Sequence, residues 1–331
     1  MSEEEEVRVE RALVVNPRKA SASFGASSLR RDVLESYREQ LRSRFSQVAS
    51  GLKIVVDCAN GPGAYVVPEV LSKLGHKVIP INSQVSWRFP GRLPEPTREN
   101  LKDTANLVVT LGADLGFAND GDADRLVMIN SAGRVIPDSI VSILAMRALE
   151  VKSRTVVLSE NTSSAVAEQV EKAGGKVIRS KVGKTFAKLM VENAAFATEP
   201  SKIVDPMWGM WEDGMFASVL IADFLSRNRA EMSLLIEGTG WHYRQVNLHL
   251  SVGEENLWRR TRESLAKFRV SEERRLDGVK FVFKDDSWIM FRISGTEPIT
   301  RIYCESKDMQ KLEQLMEEGV SCVEGAAVTQ R

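Results

Sequence analysis

A short apolar run, Lys53-Ile54-Val55-Val56-Asp57, leads into the turn Asn60-Gly61-Pro62-Gly63, a combination typical of a buried strand that ends in a loop. A helical spacing of apolar residues follows from Ala64 to Leu74 and ends at Gly75. Residues Lys77 to Ile81 then have the composition of another strand. A strand, a helix and a strand in succession predict an α/β unit with a parallel sheet.

The same order of elements returns further along the chain. Thr155 to Leu158 is typical of a strand, and the polar loop Asn161-Thr162-Ser163-Ser164 leads into a helix that ends near Ala173. A strand through Val177 and Ile178 completes a second α/β unit. The two units share a pattern but little sequence, so the repetition is one of architecture. A further helix is predicted ahead of the first unit, from Asp32 to Phe45.

The pattern changes after about Gln245, where apolar residues alternate as in a strand. A charged helix near Glu255 to Phe268 comes next. Two strands follow, Val279 to Phe283 and Trp288 to Ile293, then Arg301 to Glu305 and a final helix. The fold class is therefore two consecutive α/β domains with mixed parallel sheets, followed by a small C-terminal α+β domain.

The overall composition limits the classes of function. The 331 residues contain 45 Lys and Arg and 45 Asp and Glu, and this neutral balance argues against a nucleic-acid-binding protein. Hydrophobic residues make up 43%, which implies packed cores, and no apolar run approaches membrane-spanning length. The acidic start Met1-Ser2-Glu3-Glu4 is unlike a secretory signal, so the cytoplasm is the expected compartment. The three cysteines are too scattered for a zinc site.

The sharpest chemical signal is the acidic loop, Asp120-Gly121-Asp122-Ala123-Asp124-Arg125, between two strand-like segments. In an extended segment alternate side chains project to one side, so Asp120, Asp122 and Asp124 are predicted to bind one hard divalent cation. A calcium EF-hand loop is excluded because its sixth and twelfth positions, Gly and Glu, are occupied here by Arg125 and Ser131. The alternative is an acidic, solvated hairpin without a ligand.

A second signal is the arginine loop, Arg292-Ile293-Ser294-Gly295-Thr296-Glu297-Pro298 with Arg301 just beyond it. Two hydroxyls, the backbone N–H groups of a glycine turn and two guanidinium groups are all donors suited to a phosphate dianion. The alternative is an ordinary hairpin turn with two surface arginines.

Together, in this order, the two loops resemble the metal-binding and phosphate-binding loops of the α-D-phosphohexomutases, the phosphomannomutase and phosphoglucomutase family. The resemblance extends to residues 55–63, to Phe89-Pro90-Gly91-Arg92-Leu93-Pro94-Glu95-Pro96-Thr97 and to Asp277-Gly278-Val279-Lys280. It covers most of the chain from about residue 50 to 305. It implies that residues 31–135, 136–240 and 241–331 are the second, third and fourth domains of that family, with 1–30 a linker or a remnant of the first.

The family's sugar-specificity loop, Gly-Glu-x-Ser-Gly-His, is matched only in part, by Thr198-Glu199-Pro200-Ser201-Lys202-Ile203. The resemblance implies that Glu199 and Ser201 contact sugar hydroxyls, while both glycines and the histidine are replaced. The family's Thr-x-Val-Gly loop corresponds to Ser180-Lys181-Val182-Gly183-Lys184, and its downstream Asp-Gly to Asp213-Gly214. Lys184 and Lys202 are candidate substrate contacts, or else solvated charges.

The serine nucleophile of the family is not found, since no Thr-Ala-Ser-His-Asn-Pro or similar sequence occurs in the chain. Ser21 and Ser23 lie in a superficially similar stretch, and we interpret them as linker residues. The resemblance therefore implies a mutase that lacks its nucleophile-bearing first domain, which a separate chain or an upstream part of the reading frame would supply.

The implied reaction interconverts hexose 1-phosphate and hexose 6-phosphate of the mannose or glucose type, with Mg²⁺ as cofactor and hexose 1,6-bisphosphate as activator. The implied roles are metal binding by the three aspartates and a place near the phosphoserine for Arg125. Phosphate binding is assigned to Arg292, Ser294, Gly295, Thr296 and Arg301. Two rivals remain: a non-catalytic phosphosugar-binding or regulatory relic, favoured by the altered sugar loop, and a metal-dependent phosphatase, which lacks a recognisable base.

Overall fold

The structure, a computed structural model, describes residues 3–15, 25–28, 30, 32–250, 252–294 and 297–328. They divide into two compact units, one ending at Arg44 and the other beginning at Phe45. The first unit contains helices α1 (Glu3–Val15) and α2 (Asp32–Ser43). Helix α2 confirms the predicted spacing, with Leu41 buried and Leu34 and Tyr37 half-buried on the same side.

The second unit begins with a four-stranded sheet of order β2-β1-β3-β4. Its strands are β1 (Lys53–Asp57), β2 (Lys77–Ile81), β3 (Leu115–Ala118) and β4 (Val127–Asn130). Strand β1 is central, buried after its first residue and parallel to both neighbours, whereas β4 is antiparallel to β3. The predicted parallel strand pair is confirmed, and the sheet is mixed because of its last strand.

Two helices cover this first sheet, α3 (Val67–Lys73) and α4 (Lys102–Thr110). The predicted helix from Ala64 begins as a 3-10 turn, Pro62–Tyr65, and becomes α-helical only at Val67. Pro68 lies in the first turn of α3, where a missing backbone N–H is tolerated. Helix α4 was not predicted.

A second four-stranded sheet has the same topology, in the order β6-β5-β7-β8. Its strands are β5 (Thr155–Ser159), β6 (Lys176–Ser180), β7 (Phe196–Glu199) and β8 (Lys202–Val204). Strand β5 is parallel to β6 and β7, and β8 is antiparallel to β7. The predicted repetition of architecture is therefore present, down to the antiparallel final hairpin. Helices α6 (Ser164–Lys172) and α7 (Thr185–Glu192) belong to this second repeat.

Two buried helices join the repeats, α5 (Asp138–Ala148) and α8 (Gly214–Arg227), which pack against each other. Both are apolar around most of their circumference, as expected for helices enclosed by protein. The hydroxyls of Ser142 on α5 and Thr198 on β7 lie 2.7 Å apart in this interior. The short helix α9 (Leu234–Glu237) follows, and its Leu235 carbonyl accepts a hydrogen bond of 3.0 Å from the Asn130 side chain of β4.

The last part of the chain is a five-stranded antiparallel sheet of order β10-β11-β12-β13-β9. Its elements are, in chain order, β9 (His242–Leu248), α10 (Glu254–Leu265), β10 (Val270–Arg274), β11 (Val279–Phe283), β12 (Trp288–Ile293), β13 (Thr300–Ser306) and α11 (Met309–Val328). Residues of α10 and α11 share one apolar core with Phe281, Phe291 and Ile302 of the sheet. The α+β prediction is confirmed, and the edge strand β10 was missed.

A polar joint attaches this sheet to the second repeat. Lys280 is only 2% exposed, and its side-chain nitrogen donates to the Glu160 carbonyl at 2.8 Å and lies 3.7 Å from the centre of the Trp288 ring. The indole N–H of Trp288 donates to Glu305 at 2.7 Å, and so does the backbone N–H of Ser164 at the start of α6. Burial lowers the pKa of Lys280 well below its usual range, and the carbonyl and the aromatic face offset part of the cost of burying the amine.

A buried ion pair fixes the loops at the carboxyl end of β1. Asp57 is fully buried and accepts hydrogen bonds from the guanidinium of Arg92 at 2.8 Å, from Asn82 at 2.9 Å and from Thr104 at 2.5 Å. Arg92 also donates to the carbonyl of Asn119, the residue that precedes the acidic loop. One carboxylate therefore ties together the ends of β1 and β2, helix α4 and the loop after β3.

None of the helices that the structure describes combines the length and the apolar composition that spanning a membrane requires.

We expect Arg92→Ala to destabilise the second unit by about 3 to 5 kcal/mol, because it leaves the buried Asp57 carboxylate without its charged partner. The matched control is Arg244→Ala, which breaks an exposed pair with Glu313 and should cost less than about 1 kcal/mol. Urea unfolding followed by circular dichroism measures both. Equal losses in the two variants would contradict this account of Asp57.

Candidate active site

A turn, rather than the predicted extended segment, brings the three aspartates together. Ala123 has a positive φ of 65°, and its N–H lies 3.3 Å from the Asp120 carbonyl oxygen. One carboxylate oxygen from each of Asp120, Asp122 and Asp124 lies within 4.8 Å of the others. The prediction that the three carboxylates converge agrees with the structure, but a reversal of the chain at Ala123 brings them together instead of alternation along a strand. We call these three side chains the aspartate triad.

Backbone contacts from two sides hold the acidic loop in place. A side chain at Gly61 would lie 2.5 Å from the carbonyl oxygen of Gly121, and one at Gly214 would lie 2.3 Å from that of Arg125. The Gly214 N–H also donates to the Ala123 carbonyl at 3.1 Å. Only glycine permits this closeness at either position, which accounts for the Gly-Pro-Gly and Asp-Gly motifs noted in the sequence.

The electrostatics of the triad favour a cation. Burial of Asp120 raises its pKa to about 7, opposed by the backbone N–H of Arg125 and assisted by the charges of Asp124 and Asp122. The Oδ1 atom of Asp124 is buried and accepts no hydrogen bond from the described residues. Asp122 is exposed. Two partly buried carboxylates and one exposed carboxylate, all oxygen donors, suit Mg²⁺ or Mn²⁺.

Arg125 closes one edge of the triad. Its guanidinium lies 3.6 Å from Asp120 and 3.8 Å from Asp124, and it forms an ion pair with Glu95. Glu95 was not identified as a site residue, although it lies within the quoted motif that ends at Thr97. The structure thus places a cation beside the triad with its charge shared among three carboxylates.

The turn between β7 and β8, Glu199-Pro200-Ser201-Lys202, touches the acidic loop directly, and we call it the sugar turn. Pro200 is the second of the four residues of the turn, a position that suits the fixed φ of proline. Ser201 follows it with a positive φ of 61°. The Ser201 carbonyl accepts from the Leu126 N–H at 2.9 Å.

The Lys202 ammonium bonds to one oxygen of Asp124 and one of Glu212, each at 2.6 Å. Burial favours the neutral amine, but these hydrogen bonds outweigh it and raise the pKa of Lys202. The side chain is therefore a cation in contact with the triad, a placement that sequence reasoning did not foresee.

Glu199, at the other end of the sugar turn, holds the loop that precedes α7. Its buried carboxylate accepts from the Gly183 N–H at 2.9 Å and from the Thr185 hydroxyl at 2.8 Å. Burial raises the pKa of Glu199, while these two donors oppose the rise. Lys184 is the N-cap residue of α7, in the same loop. The structure therefore brings Glu199 and Lys184 together, with the carboxylate bonded to protein groups.

Arg292 and Arg301 are directly paired across β12 and β13. Like charges opposite each other destabilise a sheet unless anions offset them, and Arg301 lies 3.6 Å from a carboxylate oxygen of Glu297. Two guanidinium groups on one face also suit the donor pattern that a phosphate needs. The Ser294 N–H donates to the Ile299 carbonyl at 2.9 Å, which begins the turn of the arginine loop. Gly295 and Thr296, also predicted to bind phosphate, lie outside the described residues, as do Ser21 and Ser23.

Asp277, not assigned a role from sequence, connects the arginine loop to the second repeat. One of its oxygens lies 2.9 Å from the Arg292 Nε and also accepts from the Val182 N–H at 3.0 Å. The Val182 side chain packs beside the buried Trp288, Met290 and Tyr303. Adjacent N–H groups of one loop thus bond to Asp277 and to Glu199.

The predicted site residues therefore form two clusters that share the sugar turn. Lys202 and the Ser201 carbonyl contact the acidic loop at one end, and Glu199 contacts the 181–185 loop at the other, which Asp277 links to Arg292. A carboxylate triad and a pair of arginines, joined through a polar turn, are suited to a ligand that carries phosphate and hydroxyl groups.

Comparison with known proteins matches successive parts of the chain to one family. Family models of phosphoglucomutase/phosphomannomutase match alpha/beta/alpha domain II at residues 35–133, alpha/beta/alpha domain III at 136–239 and the C-terminal domain at 252–320. A Methanobrevibacter smithii protein named "Probable phosphoglucosamine mutase" is 36% identical over 282 residues, which are 83% of this chain and 62% of that protein. A Thermococcus kodakarensis phosphopentomutase is 34% identical over 280 residues, again 83% and 62%. The chain thus spans less than two thirds of the length of these relatives.

A solved structure shows the same fold. The crystal structure of a phosphoglucomutase/phosphomannomutase family protein from Burkholderia thailandensis superposes with a TM-score of 0.81 and 22% identity, over 97% of this chain and 70% of that one. The three consecutive domain models follow the order of the two repeats and the C-terminal sheet. The chain belongs to the phosphoglucomutase/phosphomannomutase family, the α-D-phosphohexomutases.

Proposed function

We propose that this chain supplies the metal-, sugar- and phosphate-binding parts of a phosphohexomutase, an isomerase that interconverts hexose 1-phosphate and hexose 6-phosphate. The observation that carries the proposal is the sugar turn, which contacts the aspartate triad at Lys202 and the loop leading to Arg292 at Glu199. In this proposal residues 31–135, 136–240 and 241–331 each contribute one part. The two relatives described above are named for different sugars, a glucosamine and a pentose, so the proposal specifies the class of substrate and not one sugar.

In the proposed reaction the triad, Asp120, Asp122 and Asp124, holds Mg²⁺. When bound, the ion offsets the negative charge of the phosphoryl group that is transferred. Arg125, held beside the triad by Glu95, orients that phosphoryl group and adds a second positive charge. These residues act by position and charge, and none of them forms a covalent bond with the substrate.

The sugar and the second phosphate occupy the other cluster. We propose that Glu199 accepts hydrogen bonds from sugar hydroxyls and that Ser201 exchanges hydrogen bonds with them. Lys184 contacts the substrate from the neighbouring loop. Glu199 already accepts from Gly183 and Thr185, so a sugar hydroxyl uses a remaining lone pair of the carboxylate. The phosphate that is not transferred is bound by Arg292, Ser294, Gly295, Thr296 and Arg301.

The phosphoryl relay needs a serine, and we propose that a serine-bearing first domain supplies it, either on a separate chain or in the same reading frame. Its phosphoserine passes the phosphoryl group to the free hydroxyl of the hexose phosphate, and the other phosphate of the resulting bisphosphate returns to the serine. Hexose 1,6-bisphosphate is then the activator. We place the reaction in the cytoplasm and propose no nucleic-acid or membrane partner.

A second function is favoured by one feature, the altered sugar turn. The family's loop has glycine and histidine where this chain has Lys202 and Ile203, and the Glu199 oxygens are bonded to protein donors. A non-catalytic phosphosugar-binding or regulatory protein would keep the triad and the arginines under these changes. Turnover in the presence of a serine-bearing domain separates the two functions.

Asp122→Asn should weaken Mn²⁺ binding by at least about tenfold, because it removes a charged ligand from the triad. The matched control is Asp103→Asn, the same change at an exposed carboxylate of α4. Isothermal titration calorimetry measures both affinities. An Asp122→Asn affinity equal to that of the parent would make the metal assignment wrong.

The metal site also predicts a pH dependence. The pKa of Asp120 is raised to about 7, so the folded metal-free protein holds a proton that the unfolded chain releases near pH 4. The contribution of Asp120 to stability therefore falls as the pH rises from about 4 to about 7 and is lost above that pH. A cation that takes the place of the proton stabilises the fold most above pH 7. The increase in melting temperature with Mg²⁺ should be larger at pH 8 than at pH 5.5.

Arg292→Ala should weaken binding of hexose phosphate by about one to two decades, since a charge-assisted contact contributes roughly 1.5 to 3 kcal/mol. The affinity of Arg292→Lys for hexose phosphate should lie between those of Arg292→Ala and the parent, because lysine keeps the charge but lacks the planar guanidinium group. Arg275→Ala, an exposed arginine paired with Glu273, is the control. Unchanged calorimetric binding in Arg292→Ala would remove the arginine loop from the site.

The chain alone should have little or no mutase activity on mannose 1-phosphate or glucose 1-phosphate with a trace of the bisphosphate. Activity should appear when a serine-bearing domain of the family is added, since an in-line nucleophile contributes on the order of 7 to 11 kcal/mol through positioning. A coupled assay for the 6-phosphate measures turnover. Strong activity of the chain alone that disappears in Ser21→Ala or Ser23→Ala would instead make a linker serine the nucleophile.

A further inference from the structure

Lys202 stands where the family's sugar loop has its second glycine, so it is a feature of this chain rather than of the motif. Its ammonium is enclosed, with the side chain 18% exposed, and lies 2.6 Å from the Oδ2 atom of Asp124 and 2.6 Å from an oxygen of Glu212. The lysine thus connects Asp124, the last carboxylate of the triad, to Glu212, the residue just before the Asp213-Gly214 motif.

We propose that Lys202 is the counter-ion of the acidic loop when no metal is bound, and that a divalent cation at the aspartate triad displaces it from Asp124. The lysine is a positioning residue in this scheme, because it acts on the metal and the sugar turn through Asp124. The inference rests on the proposed metal site and adds a coupling between that site and the sugar turn.

The geometry of Asp124 supports an exchange between two cations. Its Oδ2 atom is bonded to the lysine, while its buried Oδ1 atom accepts no hydrogen bond from the described residues and lies 3.8 Å from the Arg125 Nε. A divalent ion held by the triad would lie within a few ångströms of the ammonium. Two positive charges at that separation repel, and the more highly charged ion interacts more strongly with the triad.

The displaced ammonium retains a partner. Glu212, whose side chain is 16% exposed, remains within reach of Lys202 by a change in the lysine side chain alone. The bond between the Leu126 N–H and the Ser201 carbonyl holds the backbone of the turn, so the exchange requires movement of the lysine side chain only. Metal binding therefore releases Lys202 from Asp124 and leaves it paired with Glu212 alone. In that state a phosphorylated sugar can contact the lysine. By linkage, an anion that draws Lys202 away from Asp124 should in turn tighten metal binding.

The first test compares Mn²⁺ affinities by calorimetry. Lys202→Met should bind Mn²⁺ roughly tenfold more tightly than the parent, because a competing cation is gone. Lys202→Arg keeps the charge and should stay close to the parent. Lys188→Met, which breaks an ion pair with Glu192 on α7, is the matched control and should have no effect.

A second test uses the unaltered chain, and so does not depend on the folding of a variant. The rate at which an amine-reactive reagent labels Lys202, followed by peptide mass spectrometry, should rise several-fold when Mn²⁺ is added, while labelling of Lys188 should not change. A labelling rate independent of Mn²⁺, or an affinity of folded Lys202→Met equal to or weaker than the parent's, would overturn the inference and leave the metal site standing. Failure of the parent to bind Mn²⁺ would overturn both.

Discussion

Three carboxylates whose oxygens lie within 4.8 Å of one another repel, and burial of Asp120 strengthens the repulsion by excluding water. The surrounding structure holds them there by two means. The glycines at 61 and 214 let neighbouring backbones clamp the acidic loop, and the cations of Arg125 and Lys202 offset part of its charge. The clamp depends in turn on the buried Asp57–Arg92 pair, since Arg92 donates to the carbonyl of Asn119 at the entrance to the loop.

The two α/β repeats place different chemistry at one topological position. Their sheets have the same strand order, and in each the last two strands form an antiparallel hairpin. The connection of the first hairpin is the acidic loop, and that of the second is the sugar turn. The hairpin ends meet through the bond between the Leu126 N–H and the Ser201 carbonyl. The contact between the acidic loop and the sugar turn thus joins equivalent positions of two copies of one architecture.

Strands and helices were predicted correctly where their apolar residues follow a clear pattern, and were missed where they do not. Buried strands with flanking turns, such as Lys53–Asp57 and Val279–Phe283, were predicted with the bounds that the structure has. Helices α5 and α8 were missed because residues that are apolar on all sides show no helical periodicity, and β10 was missed because an edge strand rich in charge resembles a loop.

The acidic loop and the arginine loop could be found because their chemistry is local in sequence, whereas the residues that connect them could not. Lys202 bonds to a carboxylate 78 residues away, and Asp277 accepts from an N–H 95 residues away. Nothing in the sequence near either residue indicates its partner. The turn geometry at Ala123 was likewise beyond a pattern of alternating residues, because a positive φ at alanine is imposed by the contacts around it.

The opposed arginines at the end of the last sheet bear on how an anion is held there. Arg292 and Arg301 lie opposite each other across β12 and β13, and each has a carboxylate beside it: Asp277 is 2.9 Å from Arg292, and Glu297 is 3.6 Å from Arg301. An anion that binds between the two guanidinium groups therefore has to compete with these carboxylates for the same N–H donors. Its affinity should reflect the exchange of one anionic partner for another rather than the filling of an unpaired site.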